Sequence, residues 1–348
     1  MYDIDIWNIN LNDVKERDKV NSFLNDFNLI LDKDVDYTIA AKNNNGDIIA
    51  TASKWKNILK CFAVSEEYRG ENLTSVLITS LIDKLFEEGI YHAFIFTKPN
   101  MAKMFINLNF KLIYEVDKAV LLEFGLSNID GYLKKLVKSY NIEASKTRGA
   151  VVMNCNPFTS GHRFLVEQAA EACEEVLVFV VEEDKSIFPF KYRYELVKKG
   201  VEDLKNVKVI QGGEYIISSA TFPSYFLREE DERLKAYEEI DGGIFGKYFC
   251  NEFNIKKRFV GEEPYCNVTN TYNETLKEVL PRYGVELVEL KRKEYNKEYI
   301  SASKVRALIR EGKINEIKNM IPEVTWEFLN SEEGRDIVEK IKVTNSPH

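Results

Sequence analysis

Residues 151–165, reading Val-Val-Met-Asn-Cys-Asn-Pro-Phe-Thr-Ser-Gly-His-Arg-Phe-Leu, constrain this chain more than any other stretch. An apolar run of strand type passes through Asn-Pro and a turn of small residues into an amphipathic segment with Phe164, Leu165 and Ala169 on one face. The order is strand, loop, helix start. A loop that leaves the carboxyl end of a parallel strand and opens a helix gathers free backbone N–H groups and the positive end of the helix dipole, which suits a phosphate. His162 falls in the first helical turn. It is one of three histidines; His92 sits in an apolar strand-like run and His348 is the last residue. An imidazole so placed can donate to a phosphate oxygen as charge develops there. An ordinary β–α turn with a capping residue reads the same way, and what lies downstream separates the two.

At 348 residues the chain exceeds one typical core, which predicts two domains. Hydrophobic residues make up 45% and charged residues 30%, the balance of a soluble globular protein. The net charge of −8 argues against non-specific nucleic-acid binding, which needs a basic surface to displace counterions. Five cysteines (Cys61, Cys155, Cys173, Cys250, Cys266) form no Cys-x-x-Cys pair, so they are expected as reduced thiols and neither a disulfide framework nor a metal site is indicated. The start, Met1-Tyr2-Asp3-Ile4-Asp5, lacks a basic and apolar leader, and no apolar run approaches membrane-spanning length. The expectation is a cytoplasmic protein without membrane partners.

The first domain is expected over 1–126. Strand-like runs at 37–41 and 47–53 are joined through Asn43-Asn44-Asn45-Gly46, where Asn-Gly signals a hairpin. A third run covers 58–64, and a helix over 73–86 carries Leu73, Val76, Leu77, Leu81 and Leu85 on one face before Gly89 stops it. A strand at 93–97, a short helix opened by Pro99 and closing strands at 110–115 and 119–124 follow. This order, with Val64-Ser65-Glu66-Glu67-Tyr68-Arg69-Gly70-Glu71-Asn72-Leu73, resembles the acetyl-coenzyme A core of GNAT acetyltransferases, an α+β domain. In that family the loop reads Arg-Gly-x-Gly-x-Gly and its bare backbone wraps a pyrophosphate at a helix N-terminus. Here Asn72 and Thr74 stand at the later glycines. The family's Phe-Tyr-x-x-x-Gly-Phe appears as Met104-Phe105-Ile106-Asn107-Leu108-Asn109-Phe110, where Asn109 tolerates a left-handed backbone and Phe105 lacks the hydroxyl of a general-acid Tyr. The resemblance implies a domain that holds a coenzyme-like arm through Val64, Arg69, Gly70 and Asn72 without acetylating anything itself. The alternative is a structural α+β domain with no ligand.

A connecting helix and linker are expected over 127–147, then a parallel-sheet domain over 148–321 and a tail over 322–348. Residues 176–181 form a continuous apolar run, as a strand buried on both faces requires. Short strands follow at 206–210 and 257–260, with a helix over 268–280 and a strand over 285–290. The charged stretch 231–241 reads as a solvated helical insertion. Lys185 and Arg193 follow the second strand, placing cations at the sheet edge that carries His162. Tyr299-Ile300-Ser301-Ala302-Ser303-Lys304-Val305-Arg306 opens another helix, ended by Gly312. Its two serines can donate hydroxyls beside free N–H groups, with Arg306 one turn on, which makes an anion clamp. Capping by Ser301 alone would leave Ser303 and Arg306 unexplained.

These three stretches resemble the T-x-G-H nucleotidyltransferases, a Rossmann-like superfamily. The wider wording, with Asp-Lys-Ser-Ile-Phe-Pro-Phe at 184–190, Ser-Ala-Thr-Phe-Pro-Ser-Tyr-Phe-Leu at 219–227 and Gly-Glu-Glu-Pro-Tyr-Cys-Asn-Val-Thr-Asn-Thr-Tyr-Asn at 261–273, resembles the citrate lyase ligase family. That resemblance implies an acid-thiol ligase that activates acetate with ATP as acetyl-adenylate and passes the acetyl group to the dephospho-coenzyme-A-like thiol arm on the acyl carrier subunit of citrate lyase. It implies chemistry at His162, Thr159, Lys185 and Arg193. ATP would be held by Asn154, Asn156, Phe158, Gly161, Gly261, Glu262, Ser301, Ser303 and Arg306, with Mg²⁺ bridging phosphate oxygens. Acetate is ionised at neutral pH, so attack on the α-phosphorus needs charge stabilisation and no general base. The alternative is an adenylyltransferase joining AMP to a phosphate-bearing small molecule of phosphopantetheine or nicotinamide mononucleotide type.

Overall fold

In the computed structural model the described residues are 5–344, apart from 71, 183–184, 218–221, 223, 228, 263–266 and 297. The chain divides into two units, one comprising Met1–Tyr132 and Phe222–Ile240, the other Leu133–Thr221 and Asp241–His348.

The first unit is built on a seven-stranded sheet. Its elements are β1 (Ile6–Asn8), α1 (Val14–Asn25), β2 (Tyr37–Lys42), β3 (Ile48–Trp55), β4 (Ile58–Val64), α2 (Leu73–Glu87), β5 (His92–Thr97), α3 (Pro99–Ile106), β6 (Lys111–Glu115) and β7 (Val120–Gly125), in the sheet order β1-β2-β3-β4-β5-β7-β6. The predicted hairpin closes at Gly46, whose φ of +84° is the left-handed turn conformation that favours glycine. Neighbours pair antiparallel except β4 and β5, which run parallel and are in register only at Ile58–Phe94 and Leu59–Ile95. Beyond Leu59 the strands no longer pair, and a cavity opens beside them. Helix α2 buries Leu73, Leu77, Leu81 and Leu85, one residue per turn, against Ala50, Leu59 and Ile95 of the sheet.

The residues just ahead of the charged stretch 231–241 pack into the first unit. The Phe222 ring lies 5.0 Å from that of Phe96, the Tyr225 hydroxyl donates to the Phe96 carbonyl at 2.5 Å, and the Ile30 N–H donates to the Tyr225 carbonyl at 3.1 Å. Ser224 adds a 2.7 Å hydrogen bond to Asp32. The charged stretch does form a helix, α7 (Glu230–Ile244), but the aromatic residues ahead of it are buried in the first unit.

In the second unit the connecting helix α4 (Ile129–Ser139) leads to β8 (Arg148–Met153), α5 (Ser160–Ala172), β9 (Glu175–Val180), α6 (Phe190–Gly200) and β10 (Val207–Gln211). After a short helix α8 (Cys250–Glu252) come β11 (Ile255–Gly261), α9 (Asn267–Val279), β12 (Glu286–Leu290), the two-residue strands β13 (Glu294–Tyr295) and β14 (Glu298–Tyr299), and α10 (Ala302–Arg310). The five main strands are all parallel in the order β10-β9-β8-β11-β12. The chain starts in the middle, winds one way, then returns to wind the other, so a crevice opens at the carboxyl ends of β8 and β11. This is a Rossmann-like arrangement. Residues expected as a tail instead form α11 (Glu323–Asn330) and α12 (Glu332–Val343), whose Leu329, Ile337, Val338 and Ile341 share a core with Val305 and Ile309 of α10. Ser331 caps α12 by accepting from the Gly334 N–H at 3.1 Å. Among the described residues Cys61, Cys155, Cys173 and Cys250 are free thiols, and no helix is long and apolar enough to cross a membrane.

Candidate functional site

The loop from β8 to α5 is held by its own side chains. Thr159 is the N-cap of α5, and its hydroxyl oxygen accepts from the His162 N–H at 3.3 Å. In return the Thr159 N–H donates to Nδ1 of His162 at 3.0 Å. This reciprocal box settles the tautomer: a nitrogen that accepts from a backbone N–H carries no proton, so the ring proton sits on Nε2. Burial, and secondarily the positive charge of Arg292, pulls the imidazole pKa down from 6.5 to about 4. His162 is therefore a neutral donor at neutral pH. Beneath it the Phe158 ring lies nearly parallel, 6.1 Å away at 13°. At Gly161 an added Cβ would fall 3.2 Å from the Ile300 carbonyl oxygen, so the loop lies close against the segment entering α10.

A cavity of about 790 Å³ opens where the carboxyl ends of β8, β11 and β12 meet α10. Asn154, Asn156, Thr159, Gly161 and His162 line it from the loop, Gly261 from the end of β11, and Ser301, Ser303 and Arg306 from the start of α10. Ser301 caps α10 by accepting from the Lys304 N–H at 3.2 Å, and the two serine hydroxyls are 3.1 Å apart. Arg306, only 7% exposed, donates to the Asn156 carbonyl and so ties α10 to the loop. Burial, and then Arg310, holds its pKa below the usual value. This cradle of N–H groups, hydroxyls and buried guanidinium fits a polyphosphate.

The structure parts from the sequence reading at several residues. Arg193 is fully buried, donating to the carbonyls of Phe188 (2.9 Å), Asn154 (2.7 Å) and Val181 (2.8 Å) and to the Asn154 side-chain oxygen (2.6 Å). Its guanidinium braces two loops and does not line the cavity. A cation after a strand looks the same in sequence whether it meets carbonyls or a ligand. Lys185 is exposed and also outside the lining, as are Phe158, which fills the core under the loop, and Glu262, whose N–H pairs with the Leu290 carbonyl. Asn156 lines the cavity while its side-chain oxygen accepts from the Phe188 N–H at 3.1 Å. Asn154 donates to Ser186 at 3.0 Å. Parts of the motifs at 184–190, 219–227 and 261–273 lie outside the described residues.

Lys291, Arg292 and Lys293 were missed as cavity residues. They are three consecutive cations directly after β12, whose Glu286 and Glu289 make it a weaker apolar run than the one ahead of Lys185. Arg292 donates through Nε to the Glu262 carbonyl at 2.6 Å, and burial lowers its pKa. Lys304 also lines the cavity and pairs with Glu298.

The first unit has its own cavity, about 880 Å³, beside the diverging strands. Val64, Arg69, Gly70 and Asn72 line it together with Phe105, Tyr225 and Phe226. Asn72 precedes α2 in the left-handed region at φ 61°, Gly70 has φ +97°, and the Asn72 side chain does not cap the first N–H groups of α2. Asn109 takes φ 68°, as its position in the motif requires. Arg69 is largely exposed and pairs with Glu66 at 3.0 Å.

A Rossmann-like parallel sheet with an anion cradle at its switch point, in one chain with a GNAT-like α+β unit, defines the class. Residues 148–329 match the family model described as citrate lyase ligase C-terminal domain, and residues 5–105 match that of the acetyltransferase (GNAT) family. The chain is similar to the citrate (pro-3S)-lyase ligase of Escherichia coli (strain K12), 37% identical over 323 residues covering 91% of each chain. It is also similar to that of Klebsiella pneumoniae, 36% identical over 324 residues covering 92% of this chain and 94% of the relative. A shorter likeness, 36% identity over 69 residues, covers 19% of this chain and 43% of the phosphopantetheine adenylyltransferase of Finegoldia magna. The chain belongs to the citrate lyase ligase family.

Proposed function

We propose that the second unit joins acetate to AMP and that the acetyl group then passes to a thiol on the acyl carrier subunit of citrate lyase. One observation carries this reading: a neutral imidazole donor, His162, and the Ser301, Ser303 and Arg306 helix start line one cavity at the switch point of a parallel sheet. An acetate oxygen attacks the α-phosphorus, the bond from that phosphorus to the bridging oxygen of pyrophosphate breaks, and acetyl-adenylate forms. His162 Nε2–H meets negative charge as it builds on the α-phosphoryl oxygens, and α10 receives the charge on the departing pyrophosphate. Mg²⁺ enters as part of MgATP, the substrate. In the second step the thiol sulfur attacks the acetyl carbon and AMP leaves, the thiol proton passing to solvent.

The first-unit cavity is assigned to the dephospho-coenzyme-A-like arm that carries the thiol, with its anionic end at Arg69, Gly70 and the N-terminus of α2. Phe105 has no proton to give, which supports a holding role over a catalytic one. The second reading, an adenylyltransferase acting on a phosphate-bearing acceptor, is favoured only by the short likeness to phosphopantetheine adenylyltransferase.

Pyrophosphate exchange into ATP separates the two. Exchange driven by acetate supports the ligase. Exchange driven only by phosphopantetheine or nicotinamide mononucleotide supports the second reading and overturns the first.

A further inference from the structure

One cation on the wall of the second-unit cavity has no part in the chemistry above. Arg258 lies in β11 next to Phe259, which packs into the core that also holds Val166 and Ala169 of α5. Alternation along the strand turns Arg258 to the opposite face of the sheet. There it is 2% exposed, with its guanidinium carbon 4.4 Å from the centroid of the Phe245 ring. Nη2 donates to the Tyr272 hydroxyl at 2.8 Å, and that hydroxyl donates in turn to the Asp241 carboxylate at 2.5 Å. Asp241 also accepts from the Ile217 N–H at 3.2 Å.

The remaining donors of this guanidinium are not met. Nε and Nη1 of Arg258 are buried and have no hydrogen-bond partner among the described residues. Buried polar groups in folded proteins are nearly always paired, because an orphaned donor keeps its full desolvation penalty. The Asp241 carboxylate bonds to the Tyr272 hydroxyl and takes neither the Nε–H nor the Nη1–H of Arg258, so it leaves both N–H groups available. Arg258 and Tyr272 both line the cavity that His162 lines. The polyphosphate already has helix N-termini, hydroxyls and Arg306 to receive it, whereas a guanidinium this deeply set in the sheet face suits a compact anion.

We infer that Arg258, oriented by Tyr272, binds the carboxylate of the small acid activated at this site. The inference rests on the acid-activation reading above. One acetate oxygen accepts from the unpaired N–H groups while the other stays available to attack phosphorus, and Phe245 stacks on the guanidinium to fix its plane.

The test is acetate-dependent pyrophosphate exchange with Arg258→Lys, which keeps the charge and loses the planar fork, and with the double variant Arg258→Met/Asp241→Asn, which removes both buried charges together. The expected result is a KM for acetate raised tenfold or more, with ATP affinity measured by calorimetry in the absence of acetate changed less than twofold. An unchanged acetate KM in a folded variant overturns the assignment, and so does a parallel loss of ATP affinity, which would make Arg258 part of the nucleotide site or of the framework. On the unaltered protein, acetamide, which lacks the anionic oxygen, should compete with acetate at least tenfold more weakly than formate does; equal competition overturns the assignment without any variant. Wild-type protein that exchanges with no carboxylate overturns the acid-activation reading and this inference with it, whereas normal wild-type exchange with unaltered variants overturns this inference alone.

Discussion

The Thr159 backbone N–H donates to Nδ1 of His162 at 3.0 Å, and through that one bond the helix cap decides which imidazole nitrogen is left to meet a ligand. Removing the ring should leave the cap half formed and the cavity without its neutral donor. His162→Ala is expected to lose roughly 10²–10³ in pyrophosphate exchange, the range for one donor aimed at developing charge. Exchange near the wild-type rate would take His162 out of the mechanism.

The depressed pKa of His162 carries a stability signature. In the folded protein it titrates at about 4, against 6.5 for the free side chain, so between those values the unfolded chain binds a proton that the folded chain refuses. Stability contributed by the neutral ring is then complete above about 6.5 and is lost as pH falls toward 4. Melting temperatures of the wild type and of His162→Asn, measured across that window, should converge as the pH falls. Parallel curves would mean that the ring titrates normally.

Arg306 joins the loop to α10 by donating to the Asn156 carbonyl. Arg306→Lys keeps the charge and loses the fork, and we expect ATP affinity and exchange to fall by about tenfold, the effect of one charge-assisted hydrogen bond. Unchanged values would reduce α10 to a capped helix with no role at the phosphates.

Arg193 should behave in the opposite way. Its bonds to Asn154, Phe188 and Val181 are all internal, so Arg193→Met leaves buried oxygens unpaired and is expected to destabilise the fold by about 2–4 kcal/mol. Thermal unfolding reads this directly. A variant that melts as the wild type does but binds ATP poorly would restore Arg193 to the nucleotide site.

The arm assigned to the first unit is tested by filling its cavity. Thr74 lines it in the first turn of α2. Thr74→Trp should slow acetyl transfer to citrate lyase by roughly tenfold or more, because a pocket that buries its occupant cannot share the space. Acetate-dependent exchange should be unaffected. Equal transfer by the variant and the wild type would remove the arm from this cavity.

Legibility in the sequence followed the range of the interactions involved. The β8–loop–α5 unit was readable because capping and turn chemistry act within four residues, and Ser301, Ser303 and Arg306 were readable because they lie within two helical turns. The place of Arg193 was not legible because three of its acceptors are the backbone carbonyls of Phe188, Asn154 and Val181, which carry no sequence signal. The unpaired donors of Arg258 were invisible, since it is the third of three consecutive cations in its strand and nothing in the sequence tells which of them is buried. The charge of 231–241 hid Phe222 and Tyr225, two aromatic residues whose burial partners lie more than a hundred positions earlier. Helices α11 and α12 were passed over although their apolar spacing is regular, because no motif pointed to them.

The membership of Phe222–Ile240 in the first unit bears on how the protein is made. Synthesis proceeds from the N-terminus, so when Tyr132 emerges from the ribosome the first sheet is covalently complete but lacks the rings that cover Phe96 and the hydroxyl that meets its carbonyl. Those groups, at positions 222 and 225 of 348, are translated only after three strands of the second sheet. The N-terminal unit therefore completes its packing only with a segment made later, and a nascent chain stalled between these points would leave the Phe96 side of the sheet without those contacts.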